Sequence, residues 1–408
     1  MSRRPVVRTG TFKAVTVAFV AAAFAVLSAC NGGGGLGGRM FGGGGPTPRA
    51  NAPISGEVIG TGTVRVALLL PLSATGNAGQ LARDLRNAAD LAIRDFKTAG
   101  IQLLVKDDMG TPEGGRAAAT QAISEGAELI LGPLFARSVP AVAAVARGAN
   151  IPVIAFSTDT STAGPGVYLL SFLPQSDVDR IVAYAAARGK RSIAALLPSN
   201  AYGTVVEAAL QRAVANAGGR VMASQRYALD RLSMQEKANA VAALVKSGTV
   251  DTIFMPDAGD AAPFLAQVLA SGGVTPGQIT YLGSGQWDDA RIAGESNLNG
   301  AWFPAPESTG FASFSKRYQA AFTTAPFRAA TLAYDATSLA AGLAARFGEQ
   351  RFSTQTLTNP NGFIGVDGAF RFLQNGLSQR GLAVYEIKGG QSVQIDPAPK
   401  TFTKAPGT

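Results

Sequence analysis

From Val64 to Leu70 the chain reads Val-Arg-Val-Ala-Leu-Leu-Leu, a near-continuous apolar run that predicts a strand buried on both faces. Pro71 ends it. Leu81, Leu85, Ala88, Ala92 and Phe96 then recur at helical intervals and predict a helix over 79–97 with one apolar face. Strands are expected at 101–105, 128–131 and 152–156. A helix opens at Thr111-Pro112-Glu113, where a hydroxyl can cap, proline suits the first position and an acid suits the first turn. Another is expected over 138–147. This alternation is the pattern of a parallel, doubly wound sheet.

A second series starts after Val167 to Phe172, with strands expected at 192–197, 220–225, 252–255 and 279–282. Helices are expected between them at 177–188, 202–217, 234–246 and 263–271. Two such series exceed one comfortable domain, so two α/β lobes are predicted. The C-terminal part differs: 311–322 and 331–347 read as helices, and 363–387 reads as short strands with turns at Asp367-Gly368 and Asn375-Gly376.

The N-terminal segment cannot belong to that pattern. Ala14 to Ala29 is a run of 16 uncharged residues preceded by Arg3, Arg4, Arg8 and Lys13, which reads as a secretory signal peptide. A membrane-spanning helix needs roughly 20 apolar residues, so the run is short for an anchor. Leu27-Ser28-Ala29 precede Cys30, the sole cysteine, and resemble a bacterial lipobox in which that thiol takes a lipid. Asn31 in the next position favours the outer membrane, with the inner membrane as the alternative. Residues 30–62 read as a flexible tether, with ten glycines between Gly32 and Gly45. Such a linker spans roughly 30 Å on average and about 100 Å when stretched.

Composition narrows the chemistry. With Cys30 lipidated the mature chain has no thiol, and the sequence has no histidine, which excludes thiol catalysis, histidine triads and soft-metal sites. No cofactor or metal is expected, and no catalytic residue. The net charge of +9 becomes +5 without the four leader cations, 32 basic against 27 acidic residues. No basic block or aromatic platform points to nucleic acid.

Several stretches in order carry a family resemblance: Val66 to Thr75, Val105-Lys106-Asp107-Asp108, Leu131-Gly132-Pro133-Leu134, Ile151 to Ala155, Tyr202-Gly203 and Phe363-Ile364-Gly365. The chain resembles the type I periplasmic binding proteins of the leucine/isoleucine/valine-binding kind. The resemblance implies an α/β fold of two doubly wound parallel-sheet lobes joined by three hinge crossings. Those crossings would fall near Phe172, Ala301 to Pro304 and Gly362 to Gly365. Lobe one would be 63–172 with 305–362, lobe two 173–304 with 363–395, and 396–408 a tail.

Ligands of such sheets bind beyond the carboxyl ends of the strands. The candidate cleft residues are therefore Ser73, Thr75, Arg137, Ser138, Ser157, Thr158 and Asp159 in lobe one. Lobe two offers Tyr202, Asp257, Gln286 and Trp287. Caps, turns and packing are the competing roles; Ser138 could cap the next helix and Trp287 could be core. The resemblance singles out Tyr202, since the tyrosine of this pair lies in the cleft of amino-acid binders.

Phe135-Ala136-Arg137 and Asp159 stand where the family's amino-acid binders carry carboxylate-binding hydroxyls, and a negative Asp159 would repel a carboxylate. The lobe-two glutamate is missing from Ser284-Gly285-Gln286, leaving Asp257 and Asp288 as substitutes. With the lipobox and tether, these departures make the chain similar to the penicillin-binding-protein activator lipoproteins. That resemblance implies a non-enzymatic, lipid-anchored regulator whose partner is a peptidoglycan synthase. The alternative is a substrate-binding lipoprotein that delivers an amino acid or related small molecule to an ABC permease.

Overall fold

The structure is a computed structural model that describes residues 52–96, 100–275 and 277–402. The leader, Cys30 and most of the expected tether lie outside the described residues. The first sheet holds β1 (Val58–Ile59), β2 (Val64–Leu70), β3 (Ile101–Asp107), β4 (Leu129–Leu131), β5 (Val153–Ala155) and β6 (Val167–Leu169). Their order is β1-β3-β2-β4-β5-β6, parallel apart from β1. The period of two along β2 explains its apolar run. Val66, Leu68 and Leu70 face one core with the helices Gly76–Asp95, Ser308–Phe322 and Ala330–Arg346. Ala67 and Leu69 face the other, with the helices Pro112–Ser124 and Val139–Gly148.

The second sheet holds β7 (Ser192–Pro198), β8 (Arg220–Tyr227), β9 (Thr252–Phe254), β10 (Thr280–Leu282) and β11 (Trp302–Ala305), all parallel. Three short antiparallel strands come next in the chain: β12 (Phe363–Gly365), β13 (Gly368–Phe372) and β14 (Ser378–Arg380). β15 (Ala383–Lys388) and β16 (Gln391–Asp396) then return antiparallel to the edge of the second sheet beside β11, giving β16-β15-β11-β10-β9-β7-β8. Again the strand period divides two cores, with Ala194 and Leu196 on one side and Ile193, Ala195 and Leu197 on the other.

Three boundaries differ from the sequence reading, the first being the second crossing: expected at Ala301 to Pro304, it follows at Pro306 because Trp302–Ala305 pairs as β11 within the second sheet. The fold begins before residue 63: β1 pairs antiparallel with β3, Ala52 N–H donates to Ser124 O at 2.8 Å, and Ser55 O accepts from buried Lys106. Lys106 in turn pairs with buried Glu125 at 2.7 Å. The expected third crossing at Gly362 to Gly365 falls instead at Leu382, where the chain enters β15. The reason is packing: Phe370 and Phe372 join the core of the first sheet, with Phe372 5.3 Å from the Tyr168 ring. Strands β12–β14 therefore belong to lobe one. The turn between β12 and β13 is Val366-Asp367, one residue earlier than expected, with Gly368 at φ 89°.

Candidate functional site

The three crossings between lobes meet around a cavity of about 350 Å³. The first crossing supplies Phe172 and Leu173 and leads into the helix Pro174–Ala187, which carries Asp177. The second supplies Pro306 and the third Arg380 and Leu382. Tyr202 enters from the helix after β7, Gly285 and Gln286 from the loop after β10, and Arg328 from lobe one, just before the helix Ala330–Arg346. The second lobe's share thus lies at the carboxyl ends of its strands, where ligands of such sheets bind. A larger open groove of about 750 Å³ is lined by residues at the amino ends of β4, β5 and β6, the opposite end of the first sheet.

Polar groups fix the second-lobe wall. Tyr202 Oη is 3.2 Å from Pro256 O and 3.2 Å from Ser284 Oγ, while Ser284 Oγ donates to Pro256 O at 2.7 Å. Burial pushes the Tyr202 phenol up, so it stays neutral. Asp177 Oδ2 accepts the Gly285 N–H at 2.9 Å. Desolvation pushes the Asp177 carboxyl up to about 7, against that N–H and the charge of Arg380.

Two arginines face this wall from lobe one. Arg328 Nη1 lies 3.2 Å from Asp288 Oδ2, and Nη2 lies 2.9 Å from Asp367 Oδ1. Asp367 Oδ2 also accepts from Thr331 Oγ1 at 2.6 Å. Arg380 is buried at the end of β14, and burial lowers its affinity for a proton. Its neighbour Asp335 accepts the Val366 N–H at 2.8 Å, and desolvation pushes that carboxyl up to about 7.

Of the residues proposed from sequence, Tyr202 and Gln286 line the cavity. Ser73, Thr75, Thr158 and Asp159 are exposed on lobe-one loops. Asp159 Oδ1 accepts the Ser161 N–H at 3.0 Å and caps the short turn Thr160–Thr162, while buried Ser157 accepts the Asp159 N–H at 3.0 Å. Exposed Arg137 donates to Gly110 O and lies 5.1 Å from the Phe135 ring. Ser138 is fully buried and makes no capping bond to the next helix. Asp257 accepts from Tyr227 Oη at 2.9 Å. Trp287 is fully buried core, its Nε1 donating to Asp257 O at 3.1 Å. Sequence reasoning missed Phe172, Asp177, Arg328 and Arg380. The resemblance placed a crossing near Phe172, but no local pattern marks the other three.

A profile of the periplasmic binding proteins matches residues 63–391. The chain belongs to the periplasmic binding protein family. Solved structures of that fold agree across most of this family member. A protein from Rhodospirillum rubrum, assigned to branched-chain amino acid ABC transport, superimposes with a TM-score of 0.71 at 18% identity, covering 81% of this chain and 99% of its own. An ABC-transporter solute-binding protein from R. palustris, solved with benzoate, gives 0.55 at 20% identity over 83% and 98%. An ABC-transporter substrate-binding protein from Sphaerobacter thermophilus gives 0.63 at 19% identity over 83% and 98%. No curated protein matches the chain. Among the described residues no group of three or more His, Cys, Asp or Glu is placed to hold a metal ion, and no helix is long and apolar enough to cross a membrane.

Proposed function

We propose that this periplasmic binding protein is the solute-binding component of an ABC importer, secreted to the periplasm and tethered there through Cys30. It captures a small molecule between its lobes and presents it to a permease; it performs no chemistry. The cavity carries this reading. It sits where all three crossings meet and takes walls from both lobes, so a solute bound there contacts both halves and can bias their closure. The solved relatives include several transporter binding proteins, which agrees with import.

The synthase-docking reading rests on Cys30, the tether and the departures at Phe135-Ala136-Arg137 and Asp159. Cys30 lies outside the described residues, and Arg137 and Asp159 have local partners of their own. Affinity capture on the whole chain in its native host tests the two readings together. Recovery of permease subunits is the expected result; recovery of a peptidoglycan synthase without a permease would reverse the preference.

A further inference from the structure

Arg380 makes no hydrogen bond or ion pair among the described residues: Nε and both terminal nitrogens lack a partner. It is 8% exposed and lines the cavity. The guanidinium carbon lies 4.8 Å from the centroid of Phe172 and 5.7 Å from that of Phe370. Asp367, Asp335 and Asp177 supply a negative field at this position, which Arg328 opposes. Each of those acids bonds another group, Asp367 to Arg328 and Thr331, Asp335 through Oδ1 to the Val366 amide, and Asp177 to the Gly285 amide, while Asp335 Oδ2 is buried without a hydrogen-bond partner and does not reach Arg380. Guanidinium presents five N–H donors in a planar fork matched to carboxylate. Leaving all of them unmade in a site withdrawn from water is costly, and a bound anion removes that cost.

Building on the importer reading, we propose that Arg380 receives the carboxylate of the solute, and that the solute is a small organic monoanion with an apolar body. One charge follows because, among the described residues of the lining, Arg380 is the cation without a partner, Arg328 being paired with Asp288 and Asp367. A phosphate dianion would need a second positive partner, and the described lining offers none beyond Arg328, which is already engaged by Asp288 and Asp367. The apolar body follows from Phe172, Leu173, Pro174, Pro306 and Leu382, the apolar share of a lining that also holds polar groups from both lobes. Arg380 is thus a specificity residue that reads charge where the lobe-one loops do not.

Calorimetry on the whole chain tests this with matched acid and amide pairs: benzoate and benzamide, cyclohexanecarboxylate and its amide, 4-methylpentanoate and its amide, with inorganic phosphate alongside. At least one acid is expected to bind, with its amide and phosphate weaker by tenfold or more. Arg380→Gln should weaken that acid by about 10- to 100-fold, the scale of a lost charge-assisted contact, and Arg380→Lys by less. Where Arg380→Gln does not fold, the acid and amide pair on the unaltered chain decides. The assignment is overturned if amides bind as tightly as acids, if Arg380→Gln leaves acid binding unchanged, or if no acid binds. Tight binding of a neutral solute that ignores Arg380 would remove this assignment while leaving the importer reading intact. That reading fails separately, on the absence of a permease in the capture experiment.

Discussion

Arg328 of the first lobe reaches Asp288 of the second across 3.2 Å, and its other terminal nitrogen holds the fully buried Asp367 at 2.9 Å. One guanidinium thus joins an exposed contact between lobes to a buried one within lobe one. The two halves differ in worth. The Asp288 carboxylate is 43% exposed and screened by solvent, whereas removing Arg328 strands a buried acid. Asp288→Ala is expected to cost less than about 1 kcal/mol in urea unfolding. Arg328→Met is expected to cost about 3 kcal/mol or more. Scattering should show a larger average radius for both variants, since both remove the link between lobes. Equal stability losses would show that the buried arm carries no special weight.

Asp335 predicts a pH signature. Its folded carboxyl sits at about 7 because burial disfavours its charge, against an unfolded value of about 4. The folded state therefore binds more protons at this carboxyl in that window, so its own contribution to stability is greatest below about pH 4 and is lost as pH rises towards 7, while Glu125, Glu207, Asp289 and Glu295, whose carboxyls are lowered, contribute slopes of the opposite sign. Asp177, at about 7, and Asp108, at about 6, add slopes of the same sign as Asp335. Asp335→Asn keeps an acceptor for the Val366 amide and removes the titration. The melting temperature of that variant relative to the unaltered protein should rise between pH 4 and pH 7; a difference that does not change with pH would contradict the assignment.

Gly283 is required by the ring beside it. A Cβ at this position would lie 2.1 Å from Trp287 Cδ2, and that tryptophan is fully buried with its indole N–H committed to Asp257 O. Gly283→Ala must displace the indole or the strand end, a cost of about 1–3 kcal/mol or more. Trp287 emission should shift to the red as the ring meets solvent. An unshifted spectrum with unchanged stability would show that the site relaxes freely.

Much of the fold was legible because its strands are buried on both faces. The β-branched and leucine run at Val64–Leu70, ended by Pro71, has the length of a buried strand, and Thr111-Pro112 marks a helix start whose threonine Oγ1 accepts the Gly114 N–H at 3.0 Å. What escaped depends on tertiary contact. Val58 and Ile59 lie in a glycine- and proline-rich stretch and become a strand only by pairing with Leu104 and Leu103. Phe370 and Phe372 carry no label saying which lobe they join. Arg380 sits in a three-residue strand, Ser378-Gln379-Arg380, whose polarity reads as solvent-facing although Ser378 and Arg380 are buried. Tyr202 was legible through the family resemblance alone, and no spacing in the sequence brings it to Asp177 or Gln286.

Anchoring is proposed at Cys30 from the residues before it. Cys30→Ala should leave the protein in the soluble periplasmic fraction after a high-salt wash. Continued recovery with membranes would contradict lipid attachment at this residue.

The cavity between Tyr202, Asp177 and Arg380 is proposed to hold a solute. Native mass spectrometry of the protein purified from its host measures this most directly. The expected result is a one-to-one complex with a small organic acid, lost from Arg380→Gln and restored to the unaltered protein by adding the acid back. A chain that carries no small molecule, accepts none from a panel of organic acids and amides, and travels instead as a complex with a peptidoglycan synthase would contradict it.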